Sequence, residues 1–176
     1  MYPLTRLVGT FVKAKRGSTP DAKAISEIKF RCRPWDLDMF LEMNNGRVLT
    51  LYDLGRFDLL LCMGLDKIMR KNHWGLVAAS STVRYRHRIR MFDKVSIRTQ
   101  VAGVDERWVY IAQSMWVRGL PASAVLIRTG ITSKGKVISP QHLLDELGVE
   151  MSAMQLADWD KQWVETENAR PWPPQL

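Results

Sequence analysis

The stretch Met43 to Gly64 reads MNNGRVLTLYDLGRFDLLLCMG, and within it Val48, Leu49, Leu51, Tyr52, Leu54, Phe57, Leu59, Leu60 and Leu61 cover most of a helix circumference. A surface helix keeps its apolar residues to one stripe, whereas a helix that is apolar nearly all round is buried. The stretch is therefore expected to be a helix enclosed by the rest of the fold, with Asn44 or Asn45 as polar N-cap and Gly64 as stop signal. Upstream, Ser26 to Arg33 alternates Ile28, Phe30 and Cys32 with Lys29, Arg31 and Arg33, the pattern of a half-buried strand, and Pro34 ends it. Downstream, four strands are expected at about Leu76 to Arg90, Lys94 to Val104, Arg107 to Val117 and Ala122 to Thr132. Their links, Met91 to Asp93, Asp105-Glu106 and Gly119 to Pro121, are short enough to make antiparallel neighbours. One strand, one enveloped helix and a four-strand run describe an α+β fold in which a curved sheet wraps a helix.

Beyond that core, Ser139-Pro140 opens a short helix closed by Gly148, and Glu150 to Glu165 begins another with Met151, Met154 and Trp159 inward, until Pro171 to Pro174 ends the structure. The 176 residues are expected to form a single domain, with a core at about 26–139, an N-terminal amphipathic segment at 1–25 and an acidic helical tail at 140–176. In the N-terminal segment Tyr2, Leu4, Leu7, Val8, Phe11 and Val12 recur at helical spacing beside Arg6, Lys13, Lys15 and Arg16. Such a stripe could lie on a membrane surface; because it is so short, packing on its own domain is the preferred reading.

A composition 46% hydrophobic and 25% charged suits one soluble globular domain and excludes a disordered or collagenous chain. Charges interrupt every apolar segment, so no membrane span is expected. The start of the chain is a poor secretory signal, and Cys32 and Cys62 make no disulfide scaffold, which together point to a reduced, cytoplasmic protein. Lysine and arginine number 26 against 18 acidic residues. From Pro140 onward seven acids face Lys161 and Arg170, so the positive charge belongs to the body of the chain.

Several chemistries can be set aside. His73, His87 and His142 are too scattered to form a metal cluster with two isolated cysteines, so no zinc or iron-sulfur site is expected. Gly130 to Val137 approximates a phosphate loop, but Val137 stands where a metal-binding hydroxyl belongs, and the segment reads as a turn. The tryptophans are scattered as core and interface residues, and no nucleic-acid partner is expected.

The informative segment is Arg33-Pro-Trp-Asp36-Leu-Asp38-Met-Phe-Leu-Glu42-Met-Asn44-Asn45, directly before the central helix. The amides opening a helix and its positive dipole end suit a carbonyl oxygen that develops negative charge. A carboxylate on a loop folding back over that end could activate water or attack the carbonyl itself. On spacing alone, Asp36 and Asp38 acting only as caps and turn formers is preferred. A second feature is Arg84, Arg86, Arg88 and Arg90 at period two, with Tyr85, His87 and Ile89 opposite: one basic stripe suited to phosphates, or a solvated face, or a dock for the acidic tail. Ser81 shares the face of Val83 and Tyr85, toward the helix, where its hydroxyl could hold water or substrate or merely pack. His87 is expected to pack and not to act as a base.

The string Asp36-x-Asp38-x-x-x-Glu42-Met-Asn44-Asn45, the apolar helix and the later Tyr85-x-x-Arg88-x-Arg90-Met-x-Asp93-x-Val95 resemble the hotdog-fold acyl-CoA thioesterases of the 4-hydroxybenzoyl-CoA thioesterase type, over roughly Ser26 to Ser139. The resemblance implies a hotdog fold and hydrolysis of an acyl-CoA to free acid and CoA. It places Asp38 as the catalytic carboxylate and the Asn45 N–H in the oxyanion site. Asn44, Ser81 and the arginines 84, 86, 88 and 90 are the candidate substrate-binding residues. The resemblance also implies a homodimer, or a dimer of dimers, and no metal or redox cofactor. Many relatives carry histidine where this chain has Glu42, so Glu42 stands either as a polar anchor or as a mark of altered activity. A non-catalytic acyl-thioester binding protein is the alternative. A hotdog dehydratase is disfavoured, because no histidine lies in the segment.

Overall fold

A computed structural model describes residues 24–173. The N-terminal amphipathic stripe lies outside the described residues. In chain order come β1 (Ser26–Arg31), a 3-10 turn (Pro34–Asp36), α1 (Asn45–Cys62), α2 (Leu65–Asn72), β2 (Trp74–Tyr85), β3 (Lys94–Val104), β4 (Val109–Val117), β5 (Leu120–Ser133) and β6 (Lys136–Ile138). The tail adds α3 (Gln141–Leu147), a 3-10 turn (Met151–Met154) and α4 (Asp158–Ala169). The sheet is antiparallel in the order β1-β3-β4-β5-β2, with β6 on the far part of β5. It curves around α1, which is the hotdog arrangement.

The core elements form near where the patterning places them, whereas the helix expected from Glu150 is a 3-10 turn at Met151–Met154 followed by α4 from Asp158, because Gln155 and Ala157 are extended. The topology differs at one point. β2 is not the neighbour of β3. It ends at Tyr85, and residues 86–93 run as irregular chain past the start of α1, so that β2 pairs with β5 while β3 pairs with β1 and β4. The alternation that extends the expected strand to Arg90 comes from Ile89, which is buried, while Met43 N–H donates to Ile89 O at 2.9 Å and so takes a hydrogen bond that a ladder would use. The chain from Gly130 to Val137 is the end of β5, a turn at Lys134 and Gly135, and part of β6, as expected of a turn. A second helix, α2, follows Gly64 directly; Leu65, Ile68 and Met69 at helical spacing were its sequence signal.

α1 packs through Val48, Leu51, Tyr52 and Leu54 onto Ile28, Val95, Ile97, Met115 and Ile127 of the sheet. Its enclosure is not complete. Leu49 and Phe57 remain 37% and 41% exposed on the side facing β2. That strand is one of the two sheet edges, the other being β1, and residues Gly75 to Ala79 of β2 are all exposed. The tail covers the outer face of the sheet: Arg128 on β5 lies 5.7 Å from the rings of Trp108, Tyr110 and Trp163, and its Nη2 donates to Asn168 Oδ1 of α4 at 2.9 Å. The residue of α4 that turns inward is therefore Trp163. Trp159, expected to be buried, is 55% exposed.

The closest approach of α1 to the sheet is at Gly55. A Cβ there would meet Thr99 Oγ1 at 2.5 Å, Gln113 Nε2 at 2.7 Å and Ile97 Cγ2 at 3.0 Å. Thr99 and Gln113 are themselves joined, since Gln113 Nε2 donates to Thr99 Oγ1 at 3.0 Å and to Tyr52 O at 2.9 Å, while Arg56 Nη1 donates to Gln113 Oε1 at 2.7 Å. A methyl would push the helix off this network. Overpacking of this kind costs about 1–3 kcal/mol, so urea unfolding of Gly55→Ala is expected to show a loss in that range with an unchanged m-value.

Candidate active site

The connection from β1 to α1 is built on two aspartates that act differently. Asp36 is fully buried; its Oδ1 lies 2.9 Å from Arg47 Nε, its Oδ2 accepts from Arg33 N–H at 2.8 Å, and its carbonyl accepts from Asn44 N–H at 2.9 Å. It binds strand end, turn and helix start together. Asp38 is half-exposed and closes the following turn. Its Oδ1 accepts from Phe40 N–H at 2.8 Å and Glu42 N–H at 3.4 Å, while Asp38 N–H donates to Glu42 O at 2.8 Å. One carboxylate oxygen thus shapes the turn, as the turn-forming reading expects.

Asn44 is the N-cap: its Oδ1 accepts from Gly46 N–H at 2.9 Å and Arg47 N–H at 3.2 Å. Val48 N–H is satisfied by Asn44 O at 3.0 Å. That leaves the Asn45 N–H as the first-turn amide with no acceptor among the described residues. Asn45 and Glu42 line a cleft of about 180 Å³ with Tyr85, Arg86, His87, Arg88 and Ser123. Glu42 Oε1 sits 2.9 Å from Arg88 Nη1, which ties the Asp38 turn to the segment after β2. Tyr85 Oη donates to Asn45 O at 3.5 Å, and burial pushes its hydroxyl pKa up, so that it remains a donor. Behind the cleft Tyr52 Oη and Ser123 Oγ are 2.8 Å apart, and burial raises the Tyr52 hydroxyl further.

The structure brings Glu42, Asn45, Arg86 and Arg88 to one cleft, with Asn44 capping its helix. It does not bring the rest there. Asp38 is not among the residues lining the cleft in the single chain. The four arginines do not form one stripe, because the strand that would align them stops at Tyr85: Arg84 points into a groove with Arg98, Ser114 and Trp116, and the amide of Arg90 is held by Asp93 Oδ2 at 2.8 Å. Nor do they dock the tail through a row of charges; Arg128 holds α4. Ser81 faces α1 as expected but lies toward the middle of the helix, in a shallow pocket with Thr50, Asp53 and Arg56. His87 does not pack in the core; it is exposed and lines the cleft. The sequence reading missed Tyr85 as a cleft residue and the close Asp53–Arg56 pair on α1, whose signal was a charged i,i+3 pair in an otherwise apolar helix. Among the described residues no group of three or more His, Cys, Asp and Glu side chains is placed to hold a metal ion. No helix of the described residues is long and apolar enough to cross a membrane.

Residues 32–136, more than half of the chain and including every residue of this cleft, match the thioesterase-like superfamily. The chain belongs to that superfamily. Among curated relatives, Protein THEM6 of Drosophila melanogaster is 35% identical over 83 residues, 47% of this chain and 43% of the relative. Protein THEM6 of Danio rerio is 29% identical over 114 residues, 64% of this chain and 54% of the relative. The chain spans about half the length of the curated relatives it matches. Among solved structures, the probable thioesterase YbaW from Escherichia coli is 19% identical, with TM-score 0.65 over 71% of this chain and 97% of that one. A thioesterase complexed with coenzyme A and Zn from Thermus thermophilus is 18% identical, with TM-score 0.62 over 72% of this chain and 92% of that one. At these identities the structures speak for the shared hotdog fold.

The two aspartates of this thioesterase-like segment separate experimentally. Removing one partner of a buried ion pair strands the other charge and costs about 3–5 kcal/mol. Arg47→Met is expected to approach that loss in urea unfolding by leaving the Asp36 carboxylate buried without its guanidinium. Asp38→Asn, which keeps an acceptor for Phe40 N–H, is expected to stay within about 1 kcal/mol of wild type.

Proposed function

We propose that the protein is a cofactor-independent acyl-CoA thioesterase working as a homodimer. The observation that carries this reading is the unpaired Asn45 amide at the start of α1, opening into a cleft lined by Arg86 and Arg88, in a chain of the thioesterase-like superfamily. In the reaction R–CO–S–CoA plus water gives the acid and CoA. The Asp38 carboxylate takes a proton from water as its oxygen attacks the carbonyl carbon, and the resulting oxyanion accepts from Asn45 N–H. The oxyanion then collapses, the C–S bond breaks, and the leaving thiolate takes the proton held by Asp38, which restores the carboxylate. Glu42, paired with Arg88, anchors the turn that carries Asp38, and Arg86 and Arg88 are the cations placed for CoA phosphates. Arg84, on the other side of the sheet, has no place in this site.

Homodimerisation explains what the single chain leaves open. Among the described residues β2 is a long edge with no partner on its outer side, with Leu76 and Val77 47% and 43% exposed, next to the exposed Leu49 and Phe57 of α1. An apolar cavity of about 220 Å³, lined by Phe57, Leu60, Met63, Leu76, Ile131 and Leu143, lies at the far end of α1 from Asn45. The helix is about 27 Å long, so within one chain cleft and cavity stand apart. Pairing two β2 edges about a two-fold axis sets the two α1 helices antiparallel, and each cleft then faces the partner's apolar cavity, where an acyl chain fits. Cytoplasmic location agrees with Cys32 and Cys62 forming no disulfide among the described residues. The engaged Asp38 Oδ1 favours one other reading, an acyl-thioester binding protein without turnover.

Thiol release measured across short, medium, long and aromatic acyl-CoAs tests activity and chain length together. Asp38→Asn is expected to lower kcat by about 10²-fold or more with little change in acyl-CoA binding; full activity in this variant would remove Asp38 from the mechanism, and tight binding without hydrolysis by wild type would favour the binding protein. For the assembly, Val77→Lys on the β2 edge is expected to turn a dimer into a folded monomer in light scattering, because it places like charges across the two-fold seam.

A further inference from the structure

Six large apolar side chains stand in solvent at the α1 N-terminal end of the molecule. Met39, Phe40 and Leu41, at 86%, 74% and 71% exposure, form the tip of the turn from Asp38 to Glu42. Met91 and Phe92 form a second tip between Arg90 and Asp93, and Trp35 precedes the first. The tips share one scaffold. Phe92 N–H donates to Cys32 O and Cys32 N–H to Asp93 O, each at 3.0 Å, and Glu42 bridges to Arg90. Exposed apolar residues scattered singly are ordinary, whereas a cluster on adjoining turns marks an interaction surface.

Both tips are held rigid. Asp38 Oδ1 fixes the first through Phe40 N–H, and Asp93 fixes the second through Arg90 N–H and Arg118 Nη2, each 2.8 Å from its Oδ2. Burial is the largest single influence on the Asp93 carboxyl and would raise it, but the Arg118 hydrogen bonds, the Arg90 N–H and the charges of Arg118 and Arg90 together outweigh it and hold the group below the usual carboxylate range, so the clamp stays charged. Each tip also carries a bulky residue in the left-handed region, Leu41 at φ 59° and Phe92 at φ 65°. Glycine or asparagine would fill these turns with less strain. Neither local conformation nor the core calls for an apolar side chain there.

Around the tips the charge is positive. Arg31 and Arg33 lead into the first turn, Arg88 and Arg90 lie between the tips, and Lys94 and Arg118 flank the second, all exposed. Of the nearby carboxylates, Glu42, Asp93 and Asp36 are paired with Arg88, Arg118 and Arg47, and Asp38 is held by the amides of its own turn. A second copy of the chain meeting these tips about a two-fold axis would set cations against cations. Apolar wedges ringed by cations instead match an interface of apolar chains below anionic headgroups.

We propose that this end of the molecule docks on an anionic membrane surface, with Met39, Phe40, Leu41, Met91 and Phe92 entering the headgroup boundary and the surrounding arginines and Lys94 meeting lipid phosphates. Docking also brings the cleft beside Asn45 close to the bilayer, where amphipathic acyl thioesters partition; that consequence rests on the thioesterase reading, and the docking itself does not.

The test is cosedimentation of the full chain with vesicles of phosphatidylcholine containing one quarter phosphatidylserine, and with phosphatidylcholine alone. The wild type is expected to bind the anionic vesicles more strongly, with binding that weakens as salt rises. Phe40→Ser/Leu41→Asn/Phe92→Asn is expected to bind at least about tenfold more weakly, with an unchanged or higher Tm because asparagine relieves the left-handed positions, and with unchanged mass in light scattering. Met39→Ser/Phe40→Ser, which leaves both left-handed residues in place, gives the same direction of change should the triple variant fold poorly. No wild-type binding to anionic vesicles, or wild-type binding by both variants, overturns the proposal. A variant that loses a subunit contact overturns it too, by assigning the tips to a second copy of the chain. Because the readout is binding, loss of docking with hydrolysis intact, or the reverse, tells this proposal apart from the enzymatic one.

Discussion

The contact on which the structure turns is the one at Gly55, where α1 lies so close to β3 and β4 that no side chain fits between them. A helix packed on a sheet ordinarily stands off by the thickness of its side chains. Here the sheet supplies Thr99 and Gln113 in the gap, and Gln113 reaches the helix backbone at Tyr52 O and the side chain of Arg56. A buried polar network of this kind is stabilising only when its members are satisfied, and its donors reach their acceptors only if the helix sits at this depth. Depth and rotation of α1 are thereby set together, and with them the direction in which its N-terminus points.

The cleft follows from that placement. With α1 seated, Asn44 caps the first turn, Asp36 is drawn fully inside against Arg47, and the Asp38 turn is left as a projection that Glu42 and Arg88 tie down. The division of labour between the two aspartates is an effect of burial. A carboxylate with no exposure and a guanidinium beside it works as a structural joint, whereas one at the surface of a turn keeps an oxygen that can meet water or substrate. The same placement leaves the Leu49 and Phe57 side of the helix bare beside the β2 edge. A helix apolar all round inside a sheet that covers only part of it calls for a second sheet, which is how the homodimer reading accounts for the apolar residues that one chain does not bury.

Charge is distributed with comparable economy. The outer face of the sheet is closed by the acidic tail, but the joint is the buried Arg128 among Trp108, Tyr110 and Trp163, and not the row of arginines after β2. Those arginines are divided between the cleft and the opposite face of the sheet. The end of the molecule that carries the cleft therefore keeps its positive charge for something other than its own tail.

How far these features were legible differs from residue to residue. The apolar circumference of Met43 to Met63, the alternation before Pro34 and the short links between β3, β4 and β5 determine an antiparallel sheet around a helix, because period and turn length are local properties. The cap at Asn44 and the stop at Gly64 are equally local. The pairing of β2 with β5 was not legible: residues 86–93 alternate like a strand, and only the hydrogen bond from Met43 to Ile89, made across the fold, ends the ladder at Tyr85. The arginine stripe failed for the same reason, since a shared face requires a strand that continues. The roles of Asp36 and Asp38 could not be assigned from spacing either, because two acids two residues apart differ only in which one the packed helix draws inside. The sequence by itself determined the elements, the helix end and the candidate carboxylates; the tertiary structure alone decided which strands meet, which side chains share the cleft and which acid is buried, since those depend on contacts between residues far apart in the chain.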